Sequence, residues 1–218
     1  EIKRMMEILC RRTKNNALLI GEAGVGKTAL VEELARQIVL DKVPEKLKNK
    51  TVISISIASL VSGTKYRGEF EERVTKMLKE LETSDDILLF IDEIHTLMGA
   101  GGAEGAIDAA NIFKPILARG KIRLIGATTV DEYKQTIEKD RAMDRRFQTV
   151  FVYEPDNDRI YDILKSLKPI YESYHGVRID DSKLQSIINL SNKYIYDRKQ
   201  PDKAIDILDE VCSKVSLL

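Results

Sequence analysis

An α/β fold, with a parallel sheet between helices and then a small all-helical domain, is predicted by the 218-residue sequence. Three observations predict it. Apolar, strand-like runs alternate with stretches of helical spacing as far as residue 155. One of these runs, Ile87 to Ile91, is apolar at every position, the pattern of a strand buried on both faces of a parallel sheet. Beyond Asp156 the strand signal ends while helical periodicity continues.

In chain order, Ala17-Leu18-Leu19-Ile20 reads as a buried strand and Thr28 to Leu40 as the helix after it. Thr51 to Ile57 is β-branched and partly alternating, which predicts a second strand. A helix over Phe70 to Glu82 leads to the Ile87 to Ile91 strand, and Ala106 to Arg119 reads as another helix despite Pro115. Ile122 to Gly126 and Thr149 to Val152 complete five strands. Strands separated by helices pair in parallel, because the helix is the crossover that parallel neighbours require. Glu154-Pro155-Asp156 marks a boundary, dividing the chain into 1–155 and an incomplete helical domain over 156–218. That domain is built from Asp158 to Tyr174, Ser182 to Tyr196 and Asp202 to Leu217, with Asp202 as a candidate N-cap. Pro169 falls inside the first of these helices and removes a hydrogen bond at a cost of about 3 kcal/mol, so a kink or early stop is expected there.

Composition narrows the function. The chain is 43% hydrophobic, and its 35 basic and 35 acidic residues cancel, which offers no general attraction to nucleic acid or membrane surfaces. No apolar run reaches membrane length, and no secretory leader is legible. The two cysteines, Cys10 and Cys212, have no metal-ligand spacing and read as reduced thiols of a reducing compartment. Glu1 already lies inside a charged amphipathic stretch, so a longer parent protein is expected.

The chemistry is concentrated in two elements. Residues 21 to 28 read GEAGVGKT, between an apolar strand and a helix. Gly21, Gly24 and Gly26 allow the tight turn that aims successive N–H groups at phosphate oxygens, with Glu22, Ala23, Val25 and Ala29 completing the candidate nucleotide-binding segment. Lys27 supplies a point charge for the β/γ-phosphates, and the Thr28 hydroxyl suits Mg²⁺. The second element, ILLFIDEIH, ends a buried strand at the edge where ligands bind in such sheets. Asp92 can enter the Mg²⁺ shell directly or through water, and Glu93 can orient and polarise an attacking water. An isolated Asp-Glu after a strand is otherwise a solvated loop pair; its partnership with GEAGVGKT argues against that reading. His95 and His175 are lone histidines expected to pack or hydrogen-bond locally.

Further segments carry a family resemblance. CRRTKNNALLIGEAGVGKT (10–28), GTKYRGEFEER (63–73), GAGGAEGAIDAANIFK (99–114), GATTVDEY (126–133), DRRF (144–147) and PDKAIDILDE (201–210) together resemble the first AAA+ module of the Clp unfoldases, in that family's order over nearly the whole chain. The AEGAIDAAN stretch is more similar to ClpC than to ClpB. Ala23 departs from the proline usual at that place in the family, which loosens the phosphate loop without removing its backbone cradle.

The resemblance implies a P-loop AAA+ five-stranded parallel sheet, ATP hydrolysis to ADP and phosphate, and a Mg²⁺ cofactor. It implies that Thr129 senses the γ-phosphate or the attacking water, although a threonine there also fits a cap of the strand-to-helix turn. Arg145 and Arg146 are implied to be fingers reaching a neighbour's nucleotide; without the resemblance they read as a solvated pair. Tyr66 is implied to be a pore-loop aromatic gripping a threaded polypeptide, the other reading being a tyrosine packed on the next helix. The glycine-rich Gly99 to Gly105 resembles a second pore loop. Lys203 reads either as a reporter of domain closure on ATP or as a surface lysine. The implied assembly is a homohexamer acting on unfolded or aggregated polypeptide, with a ClpP-type protease and adaptors, in a cytoplasm or an organelle stroma such as that of a plastid. No nucleic-acid or membrane partner is expected. Other readings are a ClpB-like disaggregase, a nucleic-acid-directed AAA+ motor and a non-hydrolysing scaffold.

Overall fold

A computed structural model describes residues 1–61, 67–98 and 109–217. Two compact units result: Glu1–Gly21 with Lys27–Phe151, and Glu22–Gly26 with Val152–Leu218. In the first, α1 (Ile2–Leu9), β1 (Asn16–Ile20), α2 (Lys27–Val39), β2 (Thr51–Ile55), α3 (Ile57–Val61), α4 (Arg67–Thr83) and β3 (Ile87–Ile91) are followed by α5 (Ala110–Arg119), β4 (Arg123–Thr128), α6 (Val130–Gln135), α7 (Arg141–Asp144) and β5 (Phe147–Phe151). The second holds α8 (Asn157–His175), α9 (Asp181–Tyr194) and α10 (Asp202–Ser216).

The five strands pair in parallel in the order β2-β3-β4-β1-β5. This order explains the sequence patterns. β1 is flanked by β4 and β5 and is buried at every residue, so each position is under the same demand to exclude water. β2 lies at an edge, with no residue fully buried, and its polar Thr51 and Ser54 fit that placement. The strand expected to run to Ile57 stops at Ile55. Ile57 instead opens α3 and is buried there, because Ser56 turns the chain and its carbonyl accepts from the Ser59 and Leu60 amides. Pro115 is accommodated inside α5.

One sheet face, carrying Leu18, Ile20, Leu89, Ile91 and Leu124, joins a core with Phe70, Val74 and Leu78 of α4 and Phe113 and Leu117 of α5. Met5, Ile8 and Leu9 are the buried face of α1, which packs on β1 and α2. Gly126 sits where a side chain has no room: a Cβ there would lie 2.7 Å from Ile94 Cδ1 and 3.1 Å from Leu18 Cδ1. Gly126→Ala is therefore expected to destabilise the unit by about 1–3 kcal/mol through overpacking, read as a lowered denaturant midpoint. An unchanged midpoint would mean that the Ile94 side chain gives way freely.

In the helical unit Ile160, Leu164, Leu184, Ile188, Leu208 and Cys212 form the core, and burial pushes the Cys212 thiol up. Asp156 and Asp180 cap α8 and α9, accepting from the Arg159 and Ser182 amides. Of the kink or early stop expected at Pro169, the stop does not occur: α8 runs on to His175. Pro169 is exposed, so water can hydrate the carbonyl that its missing N–H leaves free. Asp202 is the first residue of α10 rather than its cap, and its carboxylate pairs with Arg198 at 2.9 Å. Lys203 is no surface lysine: it is 6% exposed and its ammonium donates to the Ile195 carbonyl at 3.0 Å. Among the described residues no helix is long and apolar enough to cross a membrane.

Candidate nucleotide-binding site

β1 delivers the chain to Gly21, whose N–H donates to the carbonyl of Thr128 at the end of β4 (3.2 Å). The Lys27 ammonium, at the start of α2, donates to the Gly21 carbonyl at 2.8 Å. One residue on, the Thr28 hydroxyl donates to Asp92 Oδ2 at 2.9 Å. The other Asp92 oxygen accepts the Glu93 N–H at 2.9 Å. This unit thus brings the two proposed Mg²⁺ ligands together across 64 residues of sequence. A hydroxyl and a carboxylate at that separation are a donor set of hard oxygens that fits Mg²⁺ alongside phosphate and water. Ala29 follows on α2, exposed.

The intervening loop, Glu22 to Gly26, needs its glycines. Gly24 and Gly26 have φ of +83° and +94°, conformations costly to any L side chain. Nothing would meet a Cβ at Gly26, so glycine serves the backbone conformation there rather than packing. Val25 is buried while Glu22 and Ala23 are exposed.

Glu93 is exposed and has φ of +50°, a left-handed conformation uncommon outside glycine and asparagine. Its carbonyl accepts from the Thr96 N–H in the following 3-10 turn, Ile94–Met98, anchored by buried Ile94 and Leu97. The backbone thus presents Glu93 at the end of β3 at the cost of local strain.

Thr129, directly after β4, caps α6. Its hydroxyl accepts from the Glu132 N–H while the Glu132 carboxylate accepts from the Thr129 N–H, a reciprocal capping box. A hydroxyl that accepts in this way still carries a proton of its own to donate. Glu132 Oε2 also lies 3.3 Å from the Thr128 hydroxyl and 3.1 Å from His95 Nδ1, which is itself 3.2 Å from Thr128 Oγ1. Burial pushes the Glu132 carboxyl up, but the Thr129 bonds, His95 and Thr128 outweigh it and leave its pKa below the usual value. The cluster joins the turn after β3 to the end of β4. It was missed from the sequence, although the Thr-x-x-Glu signature was present to be read.

Arg145 and Arg146 are placed elsewhere. They immediately precede β5, whose first residue pairs in register with Asn16, the first residue of β1. Gly21, Asp92 and Thr129 follow the far ends of β1, β3 and β4. The arginines therefore stand at the opposite edge of a parallel sheet, about 17 Å away at ~3.3 Å per residue. Arg145 is exposed, Arg146 half-buried, and neither guanidinium is hydrogen-bonded or ion-paired among the described residues. Tyr66 and Gly99 to Gly105 lie outside the described residues.

The profile described as "ATPase family associated with various cellular activities (AAA)" matches residues 17–153, well over half of the chain. The chain belongs to the AAA family. An "AAA lid domain" profile matches residues 156–218. Similar curated relatives include the "ATP-dependent Clp protease ATP-binding subunit ClpC" of Staphylococcus aureus (strain USA300), 57% identical over 217 residues, covering all of this chain and 26% of that protein. The Staphylococcus epidermidis (strain ATCC 12228 / FDA PCI 1200) protein of the same name is 56% identical and 27% covered. The AAA chain thus spans about a quarter of the length of the curated relatives it matches. Among solved structures, the S. cerevisiae Hsp104–ADP complex is similar with a TM-score of 0.91 and 47% identity, over 99% of this chain and 37% of that one. A closed-state reconstruction of Hsp104 with ATPγS and FITC casein matches with the same TM-score and identity.

Proposed function

We propose that this chain is the ATP-hydrolysing module of a Clp-type protein unfoldase, a homohexamer that threads unfolded polypeptide through a central pore to a ClpP-type protease. The observation that carries the reading is the split site: the Thr28–Asp92 pair at 2.9 Å on one sheet edge and, on the other, two arginines unpaired among the described residues. A single subunit holds phosphate-binding and water-orienting groups but presents its arginines elsewhere, which suits a ring of subunits sharing sites.

In this reading the amides of Gly21 to Gly26 and the Lys27 ammonium bind the β- and γ-phosphates of ATP. Thr28 and Asp92 hold Mg²⁺, which when bound neutralises charge on the phosphoryl oxygens. Glu93 orients a water on the γ-phosphorus and takes its proton as the bond to the β-phosphate oxygen breaks, giving ADP and phosphate. The Thr129 hydroxyl donates to the γ-phosphate or the water. Arg145 and Arg146 of the adjacent subunit stabilise the transferring group with guanidinium forks that stay charged.

The 57% identity to ClpC over the whole chain supports coupling to a protease and its adaptors, in a cytoplasm or an organelle stroma. The TM-score of 0.91 to Hsp104 supports a second reading, a disaggregase module acting on aggregated polypeptide. Both require a grip on substrate. Replacing Tyr66 by Ala in the full-length protein is expected to leave ATP turnover within about twofold while stopping degradation or refolding of a tagged unfolded substrate, because an aromatic on a loop contacts substrate without touching nucleotide. Parallel loss of both activities would count against a gripping role, and retention of both would remove Tyr66 from the translocation path.

A further inference from the structure

The short helix that precedes the arginine pair, and the turn after it, are held by four side chains with no part in the nucleotide pocket, those of Asp140, Lys114, Tyr133 and Asn16. α7 is a single turn, Arg141–Asp144, too short to be stable by itself. At its start the Asp140 carboxylate accepts from the Ala142 and Met143 amides at 3.0 and 3.1 Å. The same carboxylate pairs with Lys114 of α5 at 2.6 Å, both side chains being about a quarter exposed. At its end the Tyr133 hydroxyl donates to Asp144 Oδ1 at 2.7 Å. Just past it, Asn16 is 1% exposed and donates to the Arg146 carbonyl at 3.2 Å while accepting the Leu124 N–H at 3.0 Å. Burial and the Asp144 bond push the Tyr133 phenol up to about 12, so it remains a donor at every working pH.

Of these contacts the Tyr133–Asp144 bond has the greatest consequence. Tyr133 lies on α6, and its N–H donates to the carbonyl of Thr129, the cap of that helix, at 3.0 Å. One turn of helix, from Thr129 to Tyr133, therefore joins the end of β4 to the side chain that bonds Asp144, the residue before the arginine pair. We propose that Tyr133 is a positioning residue: through Asp144 it fixes Arg145 and Arg146 for the neighbouring subunit, and through α6 it ties their placement to Thr129. The proposal rests on the reading of the arginines as acting in trans. The physical requirement is strict, since a misplacement near 1 Å in a catalytic group can cost ~10²-fold in rate.

The test uses full-length hexamers, with assembly checked by sedimentation. Tyr133→Phe is expected to lower ATP turnover at least ~10-fold with little change in the KM for ATP, because each subunit's own phosphate contacts are intact. Asp144→Ala, which removes the acceptor, is expected to give the same defect. Mixing Tyr133→Phe subunits with Glu93→Gln subunits, which offer well-held arginines, is expected to raise turnover per Tyr133→Phe subunit severalfold. Unchanged turnover in the pure Tyr133→Phe hexamer, or a defect that mixing does not relieve, overturns the proposal. A parallel mixture of Arg145→Ala/Arg146→Ala subunits with Glu93→Gln subunits separates the two levels. If that mixture is relieved and the Tyr133→Phe mixture is not, only the role of Tyr133 fails; if neither is relieved, the trans reading of the arginines fails with it.

Discussion

Glu93→Gln in the full-length protein is expected to lower ATP turnover by roughly 10²–10⁴-fold while leaving ATP affinity within about threefold. Gln has the same length and shape as Glu and meets the same backbone strain at φ +50°, so the substitution isolates the loss of a proton acceptor. The Asp92 side chain is already committed, one oxygen to Thr28 and the other to the Glu93 N–H, and is poorly placed to replace the missing carboxylate. Phosphate release under saturating ATP reports turnover, and a fluorescent nucleotide titration reports binding. A variant that hydrolyses at the wild-type rate would assign the base elsewhere; one that no longer binds ATP would make Glu93 a binding group.

Much of this site was legible because its demands are local. A backbone that must adopt positive φ twice within three residues, followed by a cation and a hydroxyl, leaves the signature Gly24, Gly26, Lys27, Thr28 in the sequence. A strand buried on both faces writes itself as an unbroken apolar run, as in β3 and in Ala17 to Ile20 of β1. What was not legible depends on neighbours distant in sequence. His95 reads as a lone histidine until β3 and β4 lie side by side and bring Thr128 and Glu132 to it. The surface reading of Lys203, one of the two its sequence allows, holds only until the chain folds the Ile195 carbonyl over it. Ile57 continues the alternation of the strand before it, but periodicity alone does not reveal that its burial is reached through a helix rather than a strand. Pro169 predicts a kink or an early stop from its local cost, yet the helix continues past it, and its exposed position lets solvent lower that cost. In each case tertiary contacts or solvent outweighed a local preference of a few kcal/mol.

Replacing Arg145 and Arg146 together by Ala is expected to lower turnover by roughly 10³–10⁵-fold, the range for arginine fingers, without weakening ATP binding by the same subunit. The asymmetry follows from the register: β5 begins beside the start of β1, so the arginines are a full strand length from Gly21 of their own chain. Lysine substitutions are expected to recover little, because an ammonium lacks the planar fork that bridges two phosphoryl oxygens. A site completed by a neighbour also gives a distinctive concentration dependence. Wild-type activity per subunit should rise as rings assemble and then level off, whereas the double variant should stay flat over the same range even though sedimentation shows rings. If dilute, monomeric wild-type protein were as active per subunit as the assembled ring, the arginines would not be needed in trans. If the double variant failed to assemble, the comparison would move to a single Arg145→Ala variant, since Arg145 is the more exposed of the pair and owes less to the packing of its own chain.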